Sequence, residues 1–490
     1  MEINDLTPAE QRVWRAFATA RTVDFRTDGT DGTDGPERTL RAAVLRTLLL
    51  NGPREPGEVA ALRVAGARIT GVLDLRYATV DSVIRLHHCR FDEAPRLSGA
   101  QLGYVTLRDS VLPGLSAAHS RIDGGLRMTG CRVDGVVSLV GAQISGALYL
   151  DDAEIGAEAG VETGADGPAR TVLQLNRTSV DDDVCARGLR THGLIRLDGA
   201  SVAGSIDLEE AELGNPGAHV LDGESLEVGA NLIGRRLRAH GRIDLRGARI
   251  PGRIDLLYAT LSCPGGTALR ASSCAVGELW LRGGPPIEGR LNLRRAEINQ
   301  LHVEPEMLPD QVRLLDLTYT FLTPHEPVER RLPMLERDDG AFDPHAYEQL
   351  TAAYRHTGDD RAARLVQLAK LRRHRGTLPW YGRLWGHLQD AAVGYGFRPL
   401  RAAVWLLSLL AAGSVAFALE HPRALKASEA PDFDPVFYTL DLLLPVISFG
   451  QESAFAPSGW HQSLSYVLIL TGWILATTVV AGVTRTVSRQ

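Results

Sequence analysis

Little in this chain supports redox, metal or secretory chemistry. Five cysteines occur in 490 residues, Cys89, Cys131, Cys185, Cys263 and Cys274, with no CxxC pair and no dense ligand cluster. That scarcity excludes an iron–sulfur frame and a structural zinc site, and fits small buried thiols in a reducing compartment. No GxGxxG opens a helix after a strand and no CxxCH attaches haem, so no cofactor is expected. The Gly-Tyr-Gly at Gly394 to Gly396 reads as a close-packing turn. Basic charge is not in excess either: 53 Lys plus Arg stand against 59 Asp plus Glu, a formal net charge of -6, which argues against nucleic acid as the partner. The start lacks the basic segment and apolar core of a secretory signal.

What the chain has is a repeat. From about Ala67 to Val303 a short apolar pattern returns every eleven residues: Cys131, Ala142 and Ala153 are equivalent, as are Val133, Ile144 and Ile155, and Met128, Leu139 and Leu150. Spacing of two inside each unit is strand-like, because alternate side chains share a face. The small residue in every unit suits a tight corner. The pattern predicts a mostly β fold, a right-handed parallel β-helix solenoid with two units per coil. A leucine-rich repeat would need a longer helical segment or an Asn at fixed offset, and a sandwich would repeat less evenly.

Around the repeat the sequence predicts four parts. Residues 1–62 form an N-terminal helical cap, with Thr7, Pro8 and Glu10 as a capping box and Leu40 to Leu50 as a second helix. The Gly- and Asp-rich run Asp28 to Pro36 is a flexible loop without the full ligand spacing of a calcium site. Residues 63–323 are the β-helix, with excursions at 156–170, 214–225 and Cys263 to Thr267. Charged residues between the inward positions, such as Arg68, Asp74, Arg76, Arg127 and Asp207, read as a solvated outer face, and His87 and His88 as isolated imidazoles. No catalytic residue and no metal ligand is assigned. Residues 324–400 hold a helical hairpin, Asp343 to about Arg375, and a basic amphipathic linker. There Arg372, Arg373, Arg375, Trp380, Tyr381, Trp385, Arg398 and Arg401 have the order expected at a lipid interface.

Residues 401–490 predict a C-terminal two-helix transmembrane module, from the charge-free runs Ala402 to Leu419 and Leu464 to Val483. Flanking arginines place both chain ends in the cytoplasm of a multi-pass cell-membrane protein. Between the spans, 435–450 is apolar and too short to cross, and reads as a re-entrant segment. Asp441, Ser448, Phe449, Gly450 and Glu452 then become pore candidates resembling a two-span potassium-type channel, although the TVGYG signature is absent.

Four stretches carry a wider resemblance: YRHTGDDRAARLVQLAKLRRHR at Tyr354 to Arg375, VGYGFRPLRA at Val393 to Ala402, FYTLDLLLPVISFGQE at Phe437 to Glu452 and GWILATTVVAG at Gly472 to Gly482. With them the chain resembles actinobacterial membrane proteins that join a pentapeptide-repeat-like β-helix to a two-span region. Such proteins are sometimes labelled membrane-associated oxidoreductases, a label no motif here supports. Read from its parts, the chain is expected to be a homo-oligomer among membrane lipids, with a cytoplasmic protein or small ligand on the β-helix loops and a cation as permeant. A gated pore, a non-conducting anchored scaffold and an oxidoreductase are the three functions it leaves open.

Overall fold

The computed structural model describes residues 5–26, 35–54, 57–157, 170–337, 342–377, 379–380, 399–426, 431–444 and 448–487. The chain divides into two compact units, Met1–Gln349 and Leu350–Gln490.

The first unit is a parallel β-solenoid of about 11 turns. Its coils follow from the eleven-residue unit. Leu150 O accepts from Ala153 N at 3.1 Å across a corner whose third residue, Asp152, has φ 53°. A positive φ there is the mark of a type II turn, and the buried Ala153 fits inside the corner because it is small. Gly141 (φ 63°) takes the equivalent place one unit earlier, where a Cβ would lie 2.6 Å from His119 Nδ1. Two units close one coil, so Arg121 pairs with Gln143, twenty-two positions on. The inward residues therefore stack in files. Leu126, Leu148, Val184, Ile206, Leu232 and Ile254 run through successive coils, each at most 5% exposed. The two halves of each coil build one 20-stranded and one 16-stranded parallel sheet among the described residues.

Insertions do not break the files. Gln143 pairs with Ser179, thirty-six positions on, so the coil after 156–170 resumes in register; residues 158–169 lie outside the described residues. The other two excursions differ from expectation. Strands Glu212–Asp222 and Thr260–Arg270 run through them, with register slips between Gly214 and His219 and between Ser262 and Thr267. They are bulges of the sheet rather than loops beside it.

Both solenoid ends are covered. Helix α1 (Pro8–Phe17) has the expected capping box: Glu10 N donates to Thr7 Oγ1 and Thr7 N to Glu10 Oε2. Helix α2 (Ala42–Asn51) buries Val44, Leu45 and Leu48. At the far end α3 (Val328–Glu336) sets Arg331, 1% exposed, against the last coil, where it donates to Val303 O and Pro324 O. Helices α4 (Pro344–His356) and α5 (Asp360–Thr377) form the expected hairpin, turning at Gly358 with φ 77°.

The second unit contains α6 (Pro399–Leu419), α7 (Pro435–Leu443), α8 (Gln451–Ala454) and α9 (Trp460–Val487). Phe417, Tyr438, Leu442, Leu443, Phe455 and Leu468 make its core. Close approach is glycine-dependent: a Cβ on Gly472 would lie 2.3 Å from Leu443 O, and one on Gly413 2.5 Å from Thr439 Cγ2.

The transmembrane expectation is overturned here. No helix among the described residues is long and apolar enough to cross a membrane, so the two-span module and the multi-pass cell-membrane placement with both ends cytoplasmic are withdrawn. Part of the apolar surface of Ala402 to Leu419 goes into helix packing instead: Phe417 is buried in the helical core, with Leu409 and Leu410 packed against it.

Candidate functional site

The predicted pore residues form a turn held by one carboxylate. Asp441, 5% exposed, accepts from Phe449 N, from Gln451 N at 2.8 Å and from Glu452 N at 3.1 Å. Ser448 Oγ accepts from Gly450 N at 3.3 Å, and Gly450 has φ 82°. Three donors converging on a buried carboxylate satisfy it without an ion. Asp434, which sequence reasoning missed, caps α7 by accepting from Val436 N and Phe437 N; the signal was Asp before Pro at a helix start.

Of the predicted interface residues, Arg372, Arg373 and Arg375 lie on the last turns of α5, and Trp380 is 76% exposed. Arg401 falls within α6. Tyr381, Trp385 and Arg398 lie outside the described residues. His87 is half-buried beside Thr106 Oγ1 and its pKa is lowered by burial, while His88 sits at a corner 3.6 Å from Asp109.

The chemically distinctive surface is one that sequence reasoning passed over, the outward face of the last five rungs of the 16-stranded sheet. These are β1 (Glu212–Asp222), β2 (Arg238–Asp244), β3 (Thr260–Arg270), β4 (Glu288–Asn292) and β5 (Gln311–Arg313). One outward file runs Asp222, Asp244, Arg270, Asn292, Arg313. Its neighbour runs from His219 to Arg242 on the first two rungs and from Thr267 through Arg290 to Gln311 on the last three. Arg246 and Arg294 follow β2 and β4 at the next corners.

At the centre Asp244 is 0% exposed. Its Oδ1 accepts from Arg246 N at 3.1 Å. Its Oδ2 has no hydrogen-bond partner and lies 3.6 Å from Arg270 Nη1 and 3.8 Å from Arg246 Nη2. A desolvated carboxylate is tolerable there only because two guanidiniums face it. His219 Nε2 accepts from Arg242 Nη1 at 3.1 Å. Burial, then the Arg242 charge, lowers the His219 pKa, so the ring is neutral at neutral pH with its proton on Nδ1, a buried donor without a partner.

From β2 to the corner after β4 and on to β5 the outward side carries Arg242, Arg246, Arg270, Arg290, Arg294 and Arg313; of these Arg270 and Arg246 lie 3.6 and 3.8 Å from Asp244, and Glu288 stands at the margin, accepting from Ser262 Oγ at 2.6 Å. Arg246 binds Glu224 at 2.7 Å and Arg290 donates to Gln311 Oε1 at 2.6 Å. Among the described residues no ion pair is recorded for Arg242, Arg290 or Arg294. A basic face has been built on an acidic chain. A second feature, an open groove of about 820 Å³ over Arg249, Pro251, Ala275, Gly277, Glu297 and Asn299 on the other sheet, brings no comparable charge together.

Compared with family models, with curated proteins and with solved structures, the chain matches none.

Proposed function

We propose that this chain is a binding scaffold. The solenoid is a rigid ruler, and the basic face from β2 to β5 is where it holds an anionic partner. The observation that carries this is an outward face on which Arg242, Arg246, Arg270, Arg290 and Arg294 gather, three of them (Arg242, Arg290 and Arg294) with no ion pair among the described residues, on a chain of net charge -6. Guanidinium forks held on a rigid sheet are suited to carboxylate or phosphate oxygens and lose little conformational freedom on binding. The eleven-residue units keep the likeness to pentapeptide-repeat-like β-helices as the nearest structural idea. A pore of the two-span kind would need two spanning helices, and no helix among the described residues is long and apolar enough to be one.

Chromatography of the full chain on a sulfonated resin at pH 7.5 tests the proposal. Retention at low salt is expected despite the net negative charge, and Arg290→Glu with Arg294→Glu should abolish it while leaving the circular dichroism unchanged. Wild-type flow-through contradicts the proposal. So does retention that survives this pair and is lost on replacing Arg372 and Arg373 in α5.

A further inference from the structure

We infer that His302 and Glu278 form a proton-operated switch on the outer face of the 20-stranded sheet, in which protonation of His302 draws the Glu278 carboxylate away from the indole of Trp280. The switch is independent of the basic face, which belongs to the other sheet.

Register brings the groups together. On the strands Arg249–Asp255, Ala275–Leu281, Glu297–Val303 and Thr318–Thr323, one outward file runs Asp255, Trp280, His302, Thr323. Its neighbour runs Arg253, Glu278, Gln300, Phe321. The rings of Trp280 and His302 stack with centroids 4.5 Å apart, and Trp280 Nε1 donates to Glu278 Oε2 at 2.7 Å. His302 Nδ1 is hydrogen-bonded to Thr323 Oγ1, whereas Nε2 is buried without a hydrogen-bond partner. Glu278 Oε2, the oxygen that holds the indole, lies 3.8 Å from that nitrogen, beyond hydrogen-bond reach.

A second proton on the ring changes this arrangement. Neutral imidazole leaves one nitrogen without a hydrogen, but imidazolium carries one on each, and a buried charged donor left unpaired costs more than a neutral one. Among the described residues Glu278 is the carboxylate within 4.0 Å of the ring, and its side chain, 38% exposed, has room to turn. A move of about 1 Å makes the bond. An oxygen engaged in that charge-assisted bond is a poorer acceptor for the indole, so the Trp280 bond lengthens or breaks.

The other charged groups around the ring are committed elsewhere. On the preceding rung Asp255, 0% exposed, pairs with Arg235 at 2.9 Å and Arg253 at 3.7 Å, and the Arg253 guanidinium lies over the Trp280 ring at 5.5 Å. Glu297 begins the histidine's own strand, and Glu304 just after it pairs with Arg282 at 3.3 Å. Thr318–Thr323 carries no charge; His325 and Glu326 follow it, the latter paired with Arg330 at 2.6 Å, and Arg331 of α3 donates to Val303 O. Burial, against the opposing pull of Glu278 and with the help of Arg282, holds the His302 pKa below the ordinary imidazole value of about 6.5. The ring is therefore neutral at pH 7.5 and charges on acidification. The groove on this sheet is lined by Gly277 and Asn299, which directly precede Glu278 and Gln300, so a turn of Glu278 moves a charge at the groove's edge.

The test is a pH titration of the full chain carrying 15N-labelled tryptophan, with the Trp280 indole resonance assigned from Trp280→Phe. That resonance is expected to shift in one step between pH 7.5 and pH 5, with its midpoint below the ordinary imidazole value. His302→Gln should abolish the step and leave the circular dichroism unchanged. Glu278→Gln removes the carboxylate that favours the charged ring and should move the midpoint to lower pH, whereas Arg282→Gln should move it to higher pH. A resonance that does not move overturns the switch, as does a step that persists in His302→Gln. If His302→Gln does not fold, Glu278→Gln decides alone, and a midpoint that it leaves in place or raises contradicts the inference.

Discussion

In the solenoid, Leu148 is 0% exposed, Val184 4% and Ile206 2%; in the second unit Leu407 is 63% exposed, Val415 60% and Leu470 64%. The apolar content of the two stretches looks alike on paper, and the difference lies in what periodicity can specify. In a strand of period two every second side chain turns inward, and the coil above and below completes its burial. In α6 and α9 nearly every position is uncharged, so the pattern does not mark a face. Packing there is decided by Gly413 and Gly472, which let α6 and α9 approach α7, and the rest of the apolar surface stays outside that core.

The largest effect should come from removing one inward side chain. Leu148→Ala should cost about 2 to 5 kcal/mol in urea unfolding followed by far-ultraviolet circular dichroism, since the stacked coils cannot collapse onto the cavity. Leu407→Ala, at a 63% exposed position, should stay within about 0.5 kcal/mol. Similar losses at both sites would erase the contrast between the units.

An intermediate effect belongs to Asp441. Asp441→Ala leaves three backbone N–H groups without their acceptor, and amide exchange at Phe449, Gln451 and Glu452 should accelerate at least about tenfold, while exchange in the solenoid is unchanged. Unaltered exchange would show that the carboxylate does not hold the turn.

Smallest and most selective is thiol reactivity. Burial pushes Cys89, Cys131 and Cys274 up to about 12, and Cys185 to about 11. A raised thiol pKa leaves the unreactive protonated form dominant at pH 8. Iodoacetamide should therefore modify Cys185 slowly and the other three only on unfolding, as read by mass spectrometry. Rapid native labelling of Cys89 or Cys131 would mean that the coils open.

How much of this was legible in the sequence differs by residue. Cys131, Ala142 and Ala153 announced the corner and Met128, Leu139 and Leu150 the inward file, and all six are at most 1% exposed. Thr7, Pro8 and Glu10 announced their own cap. The arginine face was not legible, because alternation says that Arg242 and Arg290 point outward but not that they share a face. They are separated by forty-eight residues, and the bulge in β3 shifts the register between them. Asp441 misled for a different reason: an acid in an apolar run reads as a site for solvent or an ion, and the backbone amides that satisfy it belong to a turn no periodicity reveals.

Everything proposed for the outward face depends on coils stacking in register. Spin labels at positions 121 and 249, with Cys185 replaced by serine, measure that stacking directly. Arg121, Gln143, Ser179, Ser201, Glu227 and Arg249 are successive partners in one file. Five rung steps separate the ends, so double electron–electron resonance should give a narrow distribution corresponding to a backbone separation of about 24 Å. A broad distribution, or one centred near twice that separation, would contradict the solenoid and the ruler built on it.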